Sequence, residues 1–94
     1  MSLKSFLIAA LVLLSAPAMA AQKQVTLKVQ NMYCASCPYI VKQALSSLEG
    51  VEDVRVSFRQ KTATVIYDDE RVSTAALIAA TTENGYPSTI AAQE

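Results

Sequence analysis

The sequence predicts an α+β domain of the ferredoxin-like type, ordered βαββαβ, with a four-stranded antiparallel sheet and two helices on one face. Three features point to it. Some stretches alternate apolar and polar residues, the period of a half-buried strand, and others place apolar residues three and four apart, the period of an amphipathic helix. The two kinds follow one another as strand, helix, strand, strand, helix, strand, the split βαβ pattern. Both glycines of the chain, Gly50 and Gly85, fall where a helix must stop and a left-handed residue is wanted.

The chain has 94 residues, and residues 1–20 read as a leader rather than as part of the fold. Lys4 supplies a short positive start, residues 6–14 form an apolar run, Pro17 breaks it, and Ala18-Met19-Ala20 is a small-residue cleavage site. This is the pattern of a secretory signal peptide cut after Ala20. The run is shorter than the roughly 20 apolar residues a membrane-spanning helix needs. Residues 21–94 are then one exported domain, and its expected compartment is the bacterial periplasm.

In that domain Val25-Thr26-Leu27-Lys28-Val29-Gln30 alternates strictly and is the first strand. Asn31 to Cys34 is a loop. From about Ala35 to Leu48 the residues Ile40, Val41, Ala44, Leu45 and Leu48 recur at helical spacing. Pro38 suits the first turn of that helix, where its missing N–H has no partner to lose. Val54, Val56 and Phe58 make the second strand. Ala63, Val65 and Tyr67 make the third, and Arg59-Gln60-Lys61 is the turn between them. Ser73 is placed to cap a second helix whose inner face carries Leu77, Ala80 and Thr81. A short last strand runs from Tyr86 to about Ala91, irregular because Pro87 cannot donate to a ladder. The expected core is Val25 or Leu27, Val29, Ile40, Ala44, Leu45, Leu48, Val54, Val56, Val65 and Leu77.

Composition excludes several function classes. Without Lys4, residues 21–94 hold seven basic and eight acidic side chains, a net of −1, so nucleic-acid binding has no support. There is no histidine. No nucleophile–base pair, glycine-rich phosphate loop or carboxylate pair is evident, so no catalysis is expected. The cluster Asp68-Asp69-Glu70 has hard-ligand chemistry, but no further spaced oxygens follow it and it reads as a solvated turn.

The two cysteines stand as Cys34-Ala35-Ser36-Cys37. One disulfide across two intervening residues closes too small a loop to stabilise a fold, so the pair is free for chemistry. Cys37, at the start of the helix, lies at the positive end of the helix dipole, which favours thiolate over thiol. Cys34, in the loop before it, is expected to be the more exposed. Taken alone, the motif allows a soft-metal site, a redox dithiol, half a zinc site or two packed thiols. Counting disfavours zinc, whose closed structural sites take about four ligands. Hg(II) and Cu(I) are soft enough to be held by two sulfurs alone.

With the stretch Asn31-Met32-Tyr33-Cys34-Ala35-Ser36-Cys37 inside a βαββαβ order, residues 21–94 resemble the heavy-metal-associated domain family. Asn31 stands where that family usually has glycine, and asparagine tolerates a left-handed backbone better than most residues. The export leader, Pro38 after the second cysteine, and Gly85-Tyr86-Pro87-Ser88 are similar to the family's periplasmic, mercury-binding branch. The resemblance implies capture of Hg(II) by Cys34 and Cys37 in a monomer. It implies handover by thiol exchange, with small thiols or the cysteine pairs of an inner-membrane mercuric transporter as partners. An exported Cu(I) carrier is the alternative, and a small thiol–disulfide redox protein is the alternative of another class. Met32 and Pro38 are candidates for support of the site. In the family the Met32 position packs inward beneath the loop, which argues against its thioether as a ligand. Tyr86 is a further candidate, because its loop should lie at the same edge of the domain as the cysteines.

Overall fold

The computed structural model describes residues 22–93, so the leader assigned to residues 1–20 lies outside the described residues. The elements are β1 (Gln22–Val29), α1 (Cys37–Ser46), β2 (Val51–Ser57), β3 (Thr62–Asp68), α2 (Thr74–Glu83) and β4 (Ser88–Gln93). The sheet order is β2-β3-β1-β4 with every neighbouring pair antiparallel, the ferredoxin-like arrangement expected from the sequence. Both β1 and β2 run antiparallel to β3, so they point the same way. The β1–α1 loop, the β2–β3 hairpin and the α2–β4 loop therefore share one edge of the domain.

One sheet face carries the core. Val25, Leu27 and Val29 of β1 are buried, and the register sets Val25 opposite Val65 and Leu27 opposite Ala63. Val54 of β2 and Tyr67 of β3 complete that layer. The helices cover it with Val41, Leu45, Leu77, Ala80 and Thr81. Thr81 is fully buried, and its hydroxyl lies 2.7 Å from that of Ser88, so α2 and the start of β4 satisfy each other's polar groups. The open face carries Gln24, Arg55, Thr64 and Ile66, which line a shallow crevice without a sulfur ligand.

Several local expectations are corrected. Ile40 is 38% exposed and is not core. The buried stripe of α1 is Cys37, Val41 and Leu45, spaced four apart, and Ile40 lies beside it. The helix is also shorter than Ala35 to Leu48, because Ser36 is its N-cap and Ser47 its C-cap. Leu48 and Val56 only pack against the margin of the core, and Ala44 is half-buried. Phe58 lies past the end of β2 and is 41% exposed in the hairpin. Gly50 does not terminate α1 directly. It occupies the turn into β2, at φ +98°, where the N–H of Val51 donates to the carbonyl of Leu48. Asp68 is buried rather than solvated, and its carboxylate accepts the Glu70 N–H to close the turn after β3. β4 begins at Ser88 rather than Tyr86, following the proline that cannot donate.

Other expectations hold. Ser73 caps α2, its hydroxyl accepting from the Ala76 N–H at 3.1 Å. Gly85 follows the cap residue Asn84 at φ +92°, and its N–H donates to the Thr82 carbonyl.

Candidate metal centre

The edge shared by three loops holds both cysteines. Asn31 leaves β1 in a left-handed conformation, φ +67°, as its residue type allows. The turn this creates drives Met32 inward, where it is fully buried in the same cluster as Cys37, Val41 and Tyr86. Met32 is thus a core side chain beneath the loop. Tyr33 then points out and is 79% exposed. Cys34 is exposed, whereas Cys37 is only 4% exposed and begins α1. The sequence expectation that Cys34 is the accessible sulfur agrees with this placement.

The two cysteines are joined by a disulfide, with their Cα atoms 5.2 Å apart. Their sulfurs therefore already face one point. The backbone N–H of Cys34 donates to Cys37 Sγ at 3.2 Å, and the N–H of Cys37 donates to the Cys34 carbonyl at 3.2 Å. The Cys34 sulfur has the Ser36 hydroxyl 3.6 Å away. Pro38 occupies the first turn of α1 and is half-buried. The first helical turn is closed by the N–H groups of Tyr39 and Ile40, both donating to the Ser36 carbonyl.

The neighbouring loops brace this one. Asn31 Nδ2 donates to the Gly85 carbonyl at 3.2 Å, and the Gln30 N–H donates to the Pro87 carbonyl at 2.8 Å. Tyr86, between them, is buried in the cluster that contains Met32 and Cys37, and its N–H donates to the Thr81 carbonyl. Its hydroxyl makes no hydrogen bond to either sulfur among the described residues, so Tyr86 supports the site as packing. The hairpin braces the other side, where Lys61 Nζ donates to the Met32 carbonyl at 2.8 Å. The sequence places Lys61 in the turn between the second and third strands and gives it no part in the site. The element order alone could have pointed to it, because parallel β1 and β2 bring the hairpin to the cysteine edge.

Among the described residues no group of three or more His, Cys, Asp or Glu is placed to hold a metal ion. The acidic turns lie at the opposite edge, where the Asp68 N–H donates to the Gly50 carbonyl and Asp69 pairs with Lys23 at 3.5 Å. In its reduced form the cysteine edge offers two soft sulfurs, one buried and one accessible, and no hard oxygen cluster. That donor set suits a two-coordinate soft cation.

Comparison with known proteins agrees with this geometry. The heavy-metal-associated domain pattern matches residues 26–87. The chain is 48% identical over 79 residues to the mercuric transport protein periplasmic component of Shewanella putrefaciens, covering 84% of this chain and 87% of that one. The crystal structure of oxidized MerP from Ralstonia metallidurans CH34 superposes with a TM-score of 0.75 at 43% identity, covering 77% of this chain and all of that one. The mercury-bound form of MerP, the periplasmic protein from the bacterial mercury detoxification system, gives 0.66 at 47% identity, with 74% and 97% coverage. A copper binding domain from HMA7, a P-type ATPase, gives 0.74 at 28% identity, with 77% and 97% coverage. This chain belongs to the heavy-metal-associated domain family.

Proposed function

We propose that the protein is the periplasmic, mercury-binding component of a mercuric transport system. It captures Hg(II) between the thiolates of Cys34 and Cys37 and is a carrier, not an enzyme. The observation that carries this reading is the pairing of an accessible Cys34 with a buried Cys37 in a loop braced from both sides, with no group of three or more His, Cys, Asp or Glu placed to hold an ion among the described residues. Identity near one half to a periplasmic mercuric transport component supports mercury as the cargo. Residues 1–20 would serve as the export leader.

Loading requires the reduced pair. Two thiols bind one Hg(II) and release two protons, because the ligands are thiolates. Unloading requires an incoming thiolate, from a small thiol or from a cysteine pair of an inner-membrane transporter. It attacks the bound ion on the Cys34 side and forms a three-sulfur intermediate. Cys34 then leaves, and Cys37 follows when the second acceptor sulfur binds. A monomer suffices for each step.

Copper is the second reading, favoured by the same two-sulfur donor set and by the likeness to a copper binding domain. Mass spectrometry of the reduced protein with Hg(II), Cu(I) and Zn(II) in competition separates the readings. One Hg(II) per chain is expected, displacing both rivals. Retention of Cu(I) against Hg(II) would make the protein a copper carrier, and no uptake of either would leave the redox reading.

A further inference from the structure

The β2–β3 hairpin carries a lysine held at both its backbone and its ammonium. Lys61 adopts a left-handed backbone at φ +59°, a conformation in which turns usually place glycine or asparagine. Backbone of this kind persists in a lysine only where its surroundings hold it, and such residues cluster at functional sites. Here the surroundings are specific. The Lys61 carbonyl accepts from the Val29 N–H at 2.8 Å, and its ammonium donates to the Met32 carbonyl at 2.8 Å. The ammonium lies 3.7 Å from the centroid of the Phe58 ring and 5.6 Å from that of Tyr33. An ammonium over an aromatic face is attracted by the ring's quadrupole, and the two rings leave it one strong acceptor, the carbonyl.

That carbonyl is well chosen. Val29 and Met32 bracket the exit from β1, so Lys61 grips the chain on both sides of the left-handed Asn31. The peptide whose oxygen it holds lies immediately before Tyr33 and Cys34. Fixing that peptide anchors the loop one peptide unit ahead of the Cys34 N–H, which donates to Cys37 Sγ. The opposite flank of the loop is already tied to Gly85 and Pro87 by Asn31 and Gln30. Among the described residues, only the hairpin side depends on a side-chain hydrogen bond donated from outside the loop.

We propose that Lys61 is a positioning residue for the metal loop: a clasp from the hairpin that holds the Met32 carbonyl and so presents Cys34 to the ion bound by Cys37. The proposal rests on the mercury-binding reading above. Its consequence is a brake on release, since Cys34 must swing away when an acceptor thiol takes the ion. The residue touches neither sulfur and acts through the backbone.

The test uses Lys61→Met, which keeps an unbranched apolar stem and removes the donor, Lys61→Arg, which restores a donor, and Lys61→Gly, which keeps the left-handed backbone alone. Amide hydrogen exchange at Tyr33 and Cys34 is read in the reduced protein, and Hg(II) affinity is read by competition with dithiothreitol. Loss of a hydrogen bond from a charged donor should speed local opening about tenfold. Lys61→Met and Lys61→Gly are expected to exchange about tenfold faster at Tyr33 and Cys34, with amides of β1 and β3 unchanged, and to bind Hg(II) about tenfold more weakly. Lys61→Arg should recover both. Wild-type loop exchange in Lys61→Met or Lys61→Gly would overturn the proposal. So would an arginine variant no better than the methionine one, or acceleration spread evenly over the sheet. If wild-type protein bound no Hg(II), the function proposed above would fail, while the exchange data alone would still decide whether Lys61 is the clasp.

Discussion

The backbone N–H of Cys34 points at the sulfur of Cys37 across 3.2 Å. A hydrogen bond of this kind strengthens when its acceptor becomes an anion. Cys37 also begins α1, where the helix dipole favours negative charge. Its burial works against the charge. The donor is aimed at the sulfur itself, whereas Cys34 is exposed and has only the Ser36 hydroxyl nearby. In the reduced protein Cys37 should therefore lose its proton at lower pH than Cys34. Titration of the two Cβ resonances by NMR reads each thiol separately, and a lower midpoint at Cys34 would reverse the assignment.

Each sulfur should be indispensable. A serine hydroxyl at either position is a neutral, hard donor and a poor ligand for a soft cation. Cys34→Ser and Cys37→Ser should both lose tight Hg(II) binding while keeping the fold, since neither change alters the core volume greatly. Isothermal titration of the two variants checks this. Wild-type affinity in either one would mean that the ion is held elsewhere.

The helix face can be tested by contrast. Leu45 is fully buried in the α1 stripe, and Ile40 is 38% exposed beside it. Leu45→Ala should destabilise by about 2–5 kcal/mol, the range for buried leucines that leave a cavity. Ile40→Ala should cost about 0.5 kcal/mol or less, as for exposed positions without special contacts. Urea unfolding of both variants gives the comparison. Equal losses would show that Ile40 shares the core.

Why the sequence points to Ile40 as core and leaves out Val41, the reverse of what the helix buries, follows from where α1 begins. Apolar spacing alone fits either residue, because Ile40, Val41, Ala44, Leu45 and Leu48 all recur at helical periods. The choice is made by Cys37, which turns its sulfur inward at the first helical residue and so sets the phase for Val41 and Leu45. A sequence reading that treats Cys37 only as a ligand loses that anchor. The strands were easier, since alternation leaves just two faces to choose between. Gly85 was legible because its left-handed backbone directly follows a helix cap. Lys61 was not, because its contact with the Met32 carbonyl joins residues 29 apart and depends on the hairpin meeting the cysteine edge. The cysteines themselves were legible from spacing and context together, neither of which separates mercury from copper.

The disulfide sets the last expectation. With Cys34 and Cys37 joined, neither sulfur carries the lone-pair charge of a thiolate. The thiolate is the form that binds a metal. The oxidised protein should therefore take up no Hg(II). Adding two electrons and two protons returns two thiols, and binding should then be restored in full at one ion per chain. A phosphine is the right reductant, since a thiol would compete for the ion it is meant to reveal. In the compartment proposed above this is more than a handling precaution, because disulfides form and persist in the periplasm. The accessible Cys34, which the proposed handover uses, is also the sulfur an oxidant or mixed disulfide reaches first. Carrier activity should thus fall as the surroundings oxidise and return as thiols are supplied, with no change in the βαββαβ fold. Paired mass spectra of the oxidised and phosphine-reduced protein, each mixed with equimolar Hg(II), decide the matter: undiminished Hg(II) uptake by the disulfide form would defeat the two-thiolate mechanism.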